Sequence, residues 1–351
     1  MSTPRVPAAD GAERKAFRLG RIAELGDRGR TSLLGLLPAW ARLVGAAVLV
    51  GLLFAALQGA HDAAQTTVNG IVTGTYFALG AVGLSLVFGI LRLVNFAHGD
   101  FLTFAAYVAI LFSSRLGLPI LLGGALAVAA TGALAVSLEL ALWRPMRTRG
   151  AGGFQLLLIT VGLAFAIRNG IQLVAGSLPR SLPVNVTSAL NLFGHVRIGR
   201  TQLDVVIVGL VALAVVGLLL SRTRIGKEMR ALSDNLPLAE VSGIDTQRVI
   251  VVTWLVAGVL AGLAGVLSAA AIGVVTPNLG WDLLLSLFAA SVLGGLQSAY
   301  GALAGGLVLG LAEEWSTMFV DPRWKYAIGF SILIGMLLVR PNGLFGKAVL
   351  R

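Results

Sequence analysis

The residue types able to do chemistry in this chain are few, and they fall where a bilayer makes them costly. Asn95, His98 and Asp100 stand together in a polar break, Leu91-Arg-Leu-Val-Asn-Phe-Ala-His-Gly-Asp-Phe101, between two apolar runs. His98 and Asp100 are suitable types for a metal site or a proton relay. Two side chains two positions apart do not share a helix face, however, and no third ligand is near. The expected role is a structural break with a helix cap at Asp100, with the lining or gating of a pathway as the other reading. Such a break is no lipid-facing surface and must end in water, in an interface or at a cavity. Arg168 lies well inside another apolar run, with Asn169 and Gln172 beside it, and Glu139 lies near the end of the preceding run. Intramembrane charges turn inward, reach an interface or find partners, and a long arginine stem can also snorkel. Glu139, close to Arg144, reads as structural. Arg168 stays open between structural pairing and a role at a pathway. The polar candidates for a solute route are Thr73, Tyr76, Ser85, Asn95, His98, Thr160, Arg168 and Asn169.

No enzymatic constellation accompanies them. The chain has no cysteine and three histidines, His61, His98 and His195, and contains no Ser-His-Asp set or HExxH site. The nearest approach to a phosphate-cradling Walker A loop is Pro341-Asn-Gly-Leu-Phe-Gly-Lys-Ala348, where Pro341 replaces the first glycine and Ala348 the hydroxyl residue. It cannot hold a nucleotide as written. The expectation is a non-enzyme with no catalytic residue, cofactor or metal.

The elements that position these residues are membrane helices. Hydrophobic residues make up 57% of the 351 and charged residues 12%, where a soluble domain carries about 25% charge; mean hydropathy is +0.89. The net charge of +11 sits in an N-terminal arm and in short breaks between apolar runs. The positive-inside rule accounts for that distribution, and a nucleic-acid partner is excluded. Apolar runs lie near 43–57, 67–91, 101–114, 119–142, 154–176, 203–220, 250–275, 282–296, 300–312 and 326–339. At about 20 residues per crossing several are short, so the expected fold is all-α, a polytopic membrane protein of about eight to ten spans with short or broken helices. Residues 1–39 read as a basic cytoplasmic arm, and 40–65 as an extra helix and linker or a processed leader. Basic clusters around Trp143–Arg149, at 222–248 and at Arg340, Lys347 and Arg351 place both termini in the cytoplasm. The loops 177–202 and 313–324, the latter with Glu313, Glu314 and Asp321, are then expected outside. Glycines four apart, Gly70/Gly74, Gly258/Gly262, Gly301/Gly305 and Gly306/Gly310, predict close helix packing or surfaces that slide during a transport cycle.

One connector is distinctive. Between two apolar runs, residues 221–249 carry Arg222, Arg224, Lys227, Arg230 and Arg248, which marks them as cytoplasmic. Pro237 and Gly243 punctuate the stretch, predicting two short helices with Glu240 in the second and a small ridge of Leu238, Ala239, Val241 and Ile244 for a soluble partner.

Asn69 through Gly80, Gly83-Leu-Ser-Leu-Val-Phe-Gly89, Arg92 through Asp100, Arg222-Thr-Arg-Ile-Gly-Lys-Glu-Met-Arg230 and Arg340-Pro-Asn-Gly-Leu-Phe-Gly346 together resemble the membrane permease subunits of branched-chain amino acid ABC transporters, of the LivH type. The resemblance covers roughly 66–351, which it implies is the permease domain; the segment before it has no family counterpart. It implies a bacterial inner-membrane importer in which this chain and a paralogous permease form the pathway, two cytoplasmic ATPase subunits supply energy, and a periplasmic binding protein delivers the solute. It also places Arg222, Arg224, Glu240 and Gly243 in the loop that docks on the ATPase. Urea permeases share several of these motifs, so urea, short-chain amides and aromatic acids are alternative solutes. An ion-coupled secondary transporter or channel would be marked by an internal repeat with paired intramembrane carboxylates and by transport without an ATPase, neither of which is visible in the sequence; a structural scaffold is a reading from a third class.

Overall fold

Apolar runs in lipid must satisfy their own backbone, and this chain does so almost entirely as helix. The computed structural model describes residues 59–183, 189–192, 196–340 and 343–345. The arm 1–39, the 43–57 run, His195, Lys347 and Arg351 lie outside the described residues.

Helix α1 spans Ala60–Leu91 and α2 spans His98–Ile110, extended by a π turn to Arg115. Helix α3, Ile120–Leu138, continues through a π turn at Glu139–Trp143 into α4, Arg144–Thr148. After α5, Gly153–Ala175, a short antiparallel hairpin of β1, Ala189–Leu192, and β2, Val196–Gly199, leads into α6, Arg200–Arg222. Then come α7, Arg224–Asp234, α8, Leu236–Val241, α9, Thr246–Ile272, α10, Leu279–Gly294, α11, Ala299–Ser316, and α12, Lys325–Val339. Among the described residues six helices are long and apolar enough to cross a membrane, those at Asp62–Leu91, Ile120–Thr148, Gly153–Ala175, Arg200–Arg222, Thr246–Ile272 and Pro322–Val339. The protein is a polytopic helical membrane protein. Exposed side chains such as Leu173, Val211, Leu218 and Leu338 on α5, α6 and α12 suit a hydrocarbon solvent.

The structure differs from the sequence reading in three places. Residues 60–65, expected in a linker, form the first turns of α1, because the Gln65 amide exchanges two hydrogen bonds of 3.0 Å with the Arg197 backbone and so satisfies a polar helix end. The hairpin is a β element that the all-helical reading lacked. Glu313 and Glu314, assigned to an acidic loop, lie instead in α11 with only 1% and 8% of their surface exposed. Ser286 donates to Glu313 at 2.8 Å, Thr73 donates to Glu314 at 2.8 Å, and Lys325 pairs with Glu314, so the carboxylates have what burial requires.

The helices form an inverted repeat. Helix α1 begins beside β2, at the Gln65–Arg197 contact, and ends beside α7, where Ser233 donates to the Gly89 carbonyl at 3.1 Å. Helix α9 runs the other way, starting directly after α8 and ending before Val275, which pairs with Arg180 beyond the end of α5. Each long helix is followed by a break, turned by left-handed residues at Arg92 and Gly273, and then by a short helix, α2 or α10. The N-termini of α2 and α10 meet, and Gly99 and Gly280 touch so closely that a Cβ on either strikes the other's carbonyl. The third helix of each set packs on the first helix of the other. Helix α11 lies on α1 through Gly306, Gly310, Gly70 and Gly74, and α3 lies on α9 through Thr131, Gly132, Gly258 and Gly262. The fourth helices complete the pattern, α5 against α2 and α12 against α10. The glycine pairs read from the sequence are thus packing surfaces, with Gly301 and Gly305 set on Gly294 and Ala290 of α10.

Candidate functional site

Two regions gather polar and charged side chains in this scaffold, a junction inside the bundle and a pair of short helices at one end. The junction is built where the chain leaves α1 through the irregular segment 92–97 and α2 begins. Asn95 turns the chain by accepting from the Ala97 N–H at 3.1 Å. His98 is 1% exposed, and its Nε2 lies 2.9 Å from the Gly80 carbonyl, the geometry of an Nε2–H donor. Thr160 of α5 donates to the Leu157 carbonyl at 2.7 Å and lies 3.4 Å from that of Val94.

Asp100 does not cap α2, as the sequence reading expected. It is the third residue of that helix, and both of its oxygens are taken by Arg168, with Nε to Oδ1 at 3.0 Å and Nη2 to Oδ2 at 3.2 Å. A bidentate charged partner outcompetes a capping bond for the same carboxylate. The guanidinium carbon stacks 4.5 Å from the centroid of Trp281 and 5.6 Å from that of Phe165. Asp282 follows one residue later, exposed and without an ion pair among the described residues. Phe165 and Trp281 are exposed at 52% and 41%. This face of α5 and α10 therefore presents a carboxylate and two aromatic rings at the level where two helix N-termini converge. Lipid is a poor covering for it.

Asn95, His98, Thr160 and Arg168 are brought together here. Thr73 faces α11 through its bond to Glu314, and Tyr76 is buried one turn on, against Phe77. Ser85 is buried with its hydroxyl unpartnered, as is the side-chain N–H of Asn95. Asn169 turns to the exposed face of α5 and donates to the Phe165 carbonyl at 2.7 Å. Trp281 and Asp282 went unread, although Thr276-Pro277-Asn278 before them is a polar break like that before His98.

Helices α7 and α8 are organised by their caps. Thr223 accepts from the Gly226 N–H at 3.1 Å, Asn235 from Leu238 at 3.0 Å, and Asp245 from Arg248 at 3.0 Å. Pro237 fits the first turn of α8, and Gly243 stops the element at φ +81°. Gly226, Met229 and Leu232 bury one face of α7, leaving Arg222, Arg224, Lys227 and Arg230 exposed. The expected ridge is narrower than read. Ala239 is buried, and Leu238 and Val241 stand out at 61% and 85% exposure, with Glu240 exposed between them. Ser233 ties α7 to the bundle, its carbonyl accepting from Arg92 at 3.2 Å and its hydroxyl donating to the Gly89 carbonyl at 3.1 Å, and Gln247 in the first turn of α9 lies 3.4 Å from Glu139. Glu139 pairs with Arg147, not with the Arg144 beside which it was read, because the π turn at Glu139–Trp143 widens the helix and carries Arg147 onto its face.

The model of the branched-chain amino acid transport system permease component matches residues 66–337, a span that contains both the junction and α7–α8. The chain belongs to this permease family. It is 32% identical to the high-affinity branched-chain amino acid transport system permease protein BraD of Pseudomonas aeruginosa, over 81% of this chain and 95% of that protein. Identity to LivH of Escherichia coli is also 32%, with the same coverage of 81% and 95%. The probable LivH of Methanocaldococcus jannaschii is 30% identical over 79% of this chain and 90% of its own length. No solved structure matches the permease.

Proposed function

We propose that this permease is the membrane subunit of an ABC importer for branched-chain amino acids. It sits in a bacterial inner membrane with both termini cytoplasmic and forms the pathway with a paralogous permease. Two cytoplasmic ATPase subunits drive it, and a periplasmic binding protein loads it. The observation that carries this reading is the family match, which runs unbroken through the intramembrane junction and the basic α7–α8 element of a chain with no nucleotide loop of its own. Residues 66–351 act as the permease domain and 221–249 as its coupling loop.

In this reading the ATPase grips Leu238 and Val241 with the arginines around them, and motion of α7–α8 passes to α1 through Ser233 and to α3–α4 through Gln247 and Glu139. The half-helices α2 and α10, abutting at Gly99 and Gly280, are the point about which the repeats rock between outward and inward states. ATP binding and hydrolysis bias that equilibrium. Asn95, His98, Thr160 and Arg168 border the route, Asn169 and Asp282 face the second permease or the pathway water, and Thr73, Tyr76 and Ser85 support the wall behind them.

The deciding experiment is ATP hydrolysis by the complete importer in proteoliposomes, with the binding protein loaded with leucine, urea or an aromatic acid. Stimulation by leucine is expected. Stimulation only by urea or the aromatic acid reassigns the solute. The repeat with intramembrane carboxylates at Asp100 and Asp282 is the feature on which an ion-coupled carrier would rest, and solute uptake without any ATPase subunit would establish that alternative.

Replacing both Leu238 and Val241 with aspartate places like-charged, hydrated groups on the proposed contact. Copurification of the ATPase should fall at least about tenfold, equivalent to roughly 1.4 kcal/mol, while membrane insertion is unchanged. Glu240→Ala and Gly243→Val should weaken docking in the same assay, the second because a β-branched residue is strained at positive φ. Undiminished crosslinking of the loop to the ATPase in these variants would contradict the assignment.

A further inference from the structure

Helices α3 and α5 both pack on α2 and leave a groove between them, enclosing about 410 Å³. Its walls are apolar, among them Leu134 of α3 and Ile167 and Gly170 of α5. Two of its lining residues carry charge, Arg115 at the end of α2 and Arg180 just beyond the end of α5. The groove therefore has one basic end and one greasy end. On α5 the lining runs from Ala166 to Ala175, about 14 Å at 1.5 Å rise per residue, so it follows the helix axes through about half of a hydrocarbon layer about 30 Å thick. The basic end is remote from α7–α8, because Arg180 pairs with Val275 at the far end of α9.

One further group points to a ligand. The Tyr107 ring lines the groove and the residue is 8% exposed, yet its hydroxyl has no hydrogen-bond partner. A buried donor left unpaired is costly. Arg180 spends part of its guanidinium on the Ala175 carbonyl, at 3.1 Å from Nε, whereas Arg115 is exposed and makes no ion pair among the described residues.

We propose that this groove is a binding site for one acyl chain of an anionic phospholipid in the leaflet opposite the coupling helices, with the lipid phosphate at Arg115 and Arg180. The tail lies along Leu134, Ile167 and Gly170. The Tyr107 hydroxyl donates to an ester carbonyl beneath the phosphate. Length, apolarity and the charge at one end each match this occupant, and a zwitterionic lipid fills the same groove without the favourable net charge. The site does not depend on which solute the importer carries.

The test is native mass spectrometry of the full-length permease, stripped of lipid in detergent and titrated with phosphatidylglycerol or phosphatidylcholine. Wild type should retain phosphatidylglycerol in preference. Arg115→Gln, a change at an exposed position, should reduce that preference about fivefold, as expected for the loss of one cation near a lipid phosphate. Gly170→Leu should abolish retention of both lipids, since a Cβ there meets nothing within 4 Å and the larger side chain occupies the groove without a clash in the bundle. Equal retention of the two lipids by wild type, or wild-type retention by Gly170→Leu, overturns the proposal.

Discussion

Arg168→Leu is expected to destabilise the permease by about 3–5 kcal/mol, because it leaves the buried Asp100 carboxylate without its partner. Asp100 is fully buried, and both its oxygens are committed to Arg168. Asp100→Leu should cost less, because the Arg168 guanidinium beside Trp281 and Phe165 still interacts with the Asp282 carboxylate. The double substitution should regain much of the loss, since two apolar side chains of similar bulk remove both desolvation penalties at once. Thermal unfolding midpoints of the four proteins in detergent provide the check. A double variant as unstable as the sum of the singles would show that the two residues are not coupled. Transport by the double variant carries separate information. A stable protein that no longer moves solute places the pair on the pathway, and one that transports normally makes it a brace.

The second large effect lies where the repeats meet. Gly280→Leu should prevent assembly of a folded permease, and Gly280→Ala should already destabilise it by about 3 kcal/mol, the upper end for overpacking. The reason is the nature of the neighbour. A Cβ at Gly280 strikes the Gly99 carbonyl, and backbone cannot rotate away as a side chain can. Gly99→Ala meets the Gly280 carbonyl and should behave alike. Gly162→Leu on α5 is the control, because nothing lies within 4 Å of its Cβ position. Yield of monodisperse protein separates the cases, and a Gly280→Leu variant recovered at the level of the control would refute the contact.

Sequence and structure agree wherever the signal is local. An apolar stretch near 20 residues needs no partner to declare itself, so the long spans were legible. The two short helices α7 and α8 were legible because Pro237 and Gly243 act within a few residues of where they stand. Partnerships between distant segments were not. Asp100 and Arg168 are 68 positions apart, and nothing near either names the other. Glu313 and Glu314 read as a polar loop because their partners, Ser286, Thr73 and Lys325, come from other helices or a later turn. The glycine pairs announced faces without saying which face meets which. Gly70 and Gly74 fit α11 and Gly258 and Gly262 fit α3, a reciprocity that appears only in three dimensions. Arg147 displaced Arg144 as the partner of Glu139 because a π turn, which no residue type signals, shifted the register.

The exchange of third helices between the repeats sets an order on biogenesis. As the ribosome delivers the chain, α1 enters the bilayer long before α11 exists, and α3 precedes α9 by the whole of α4 through α8. The seams of Gly70 and Gly74 and of Gly258 and Gly262 each need a helix from the other half, so the nascent first half waits in lipid with bare backbone grooves until the last third of the protein is made. Maturation is then a late, concerted event, and truncated translation products are left as ready substrates for membrane proteases.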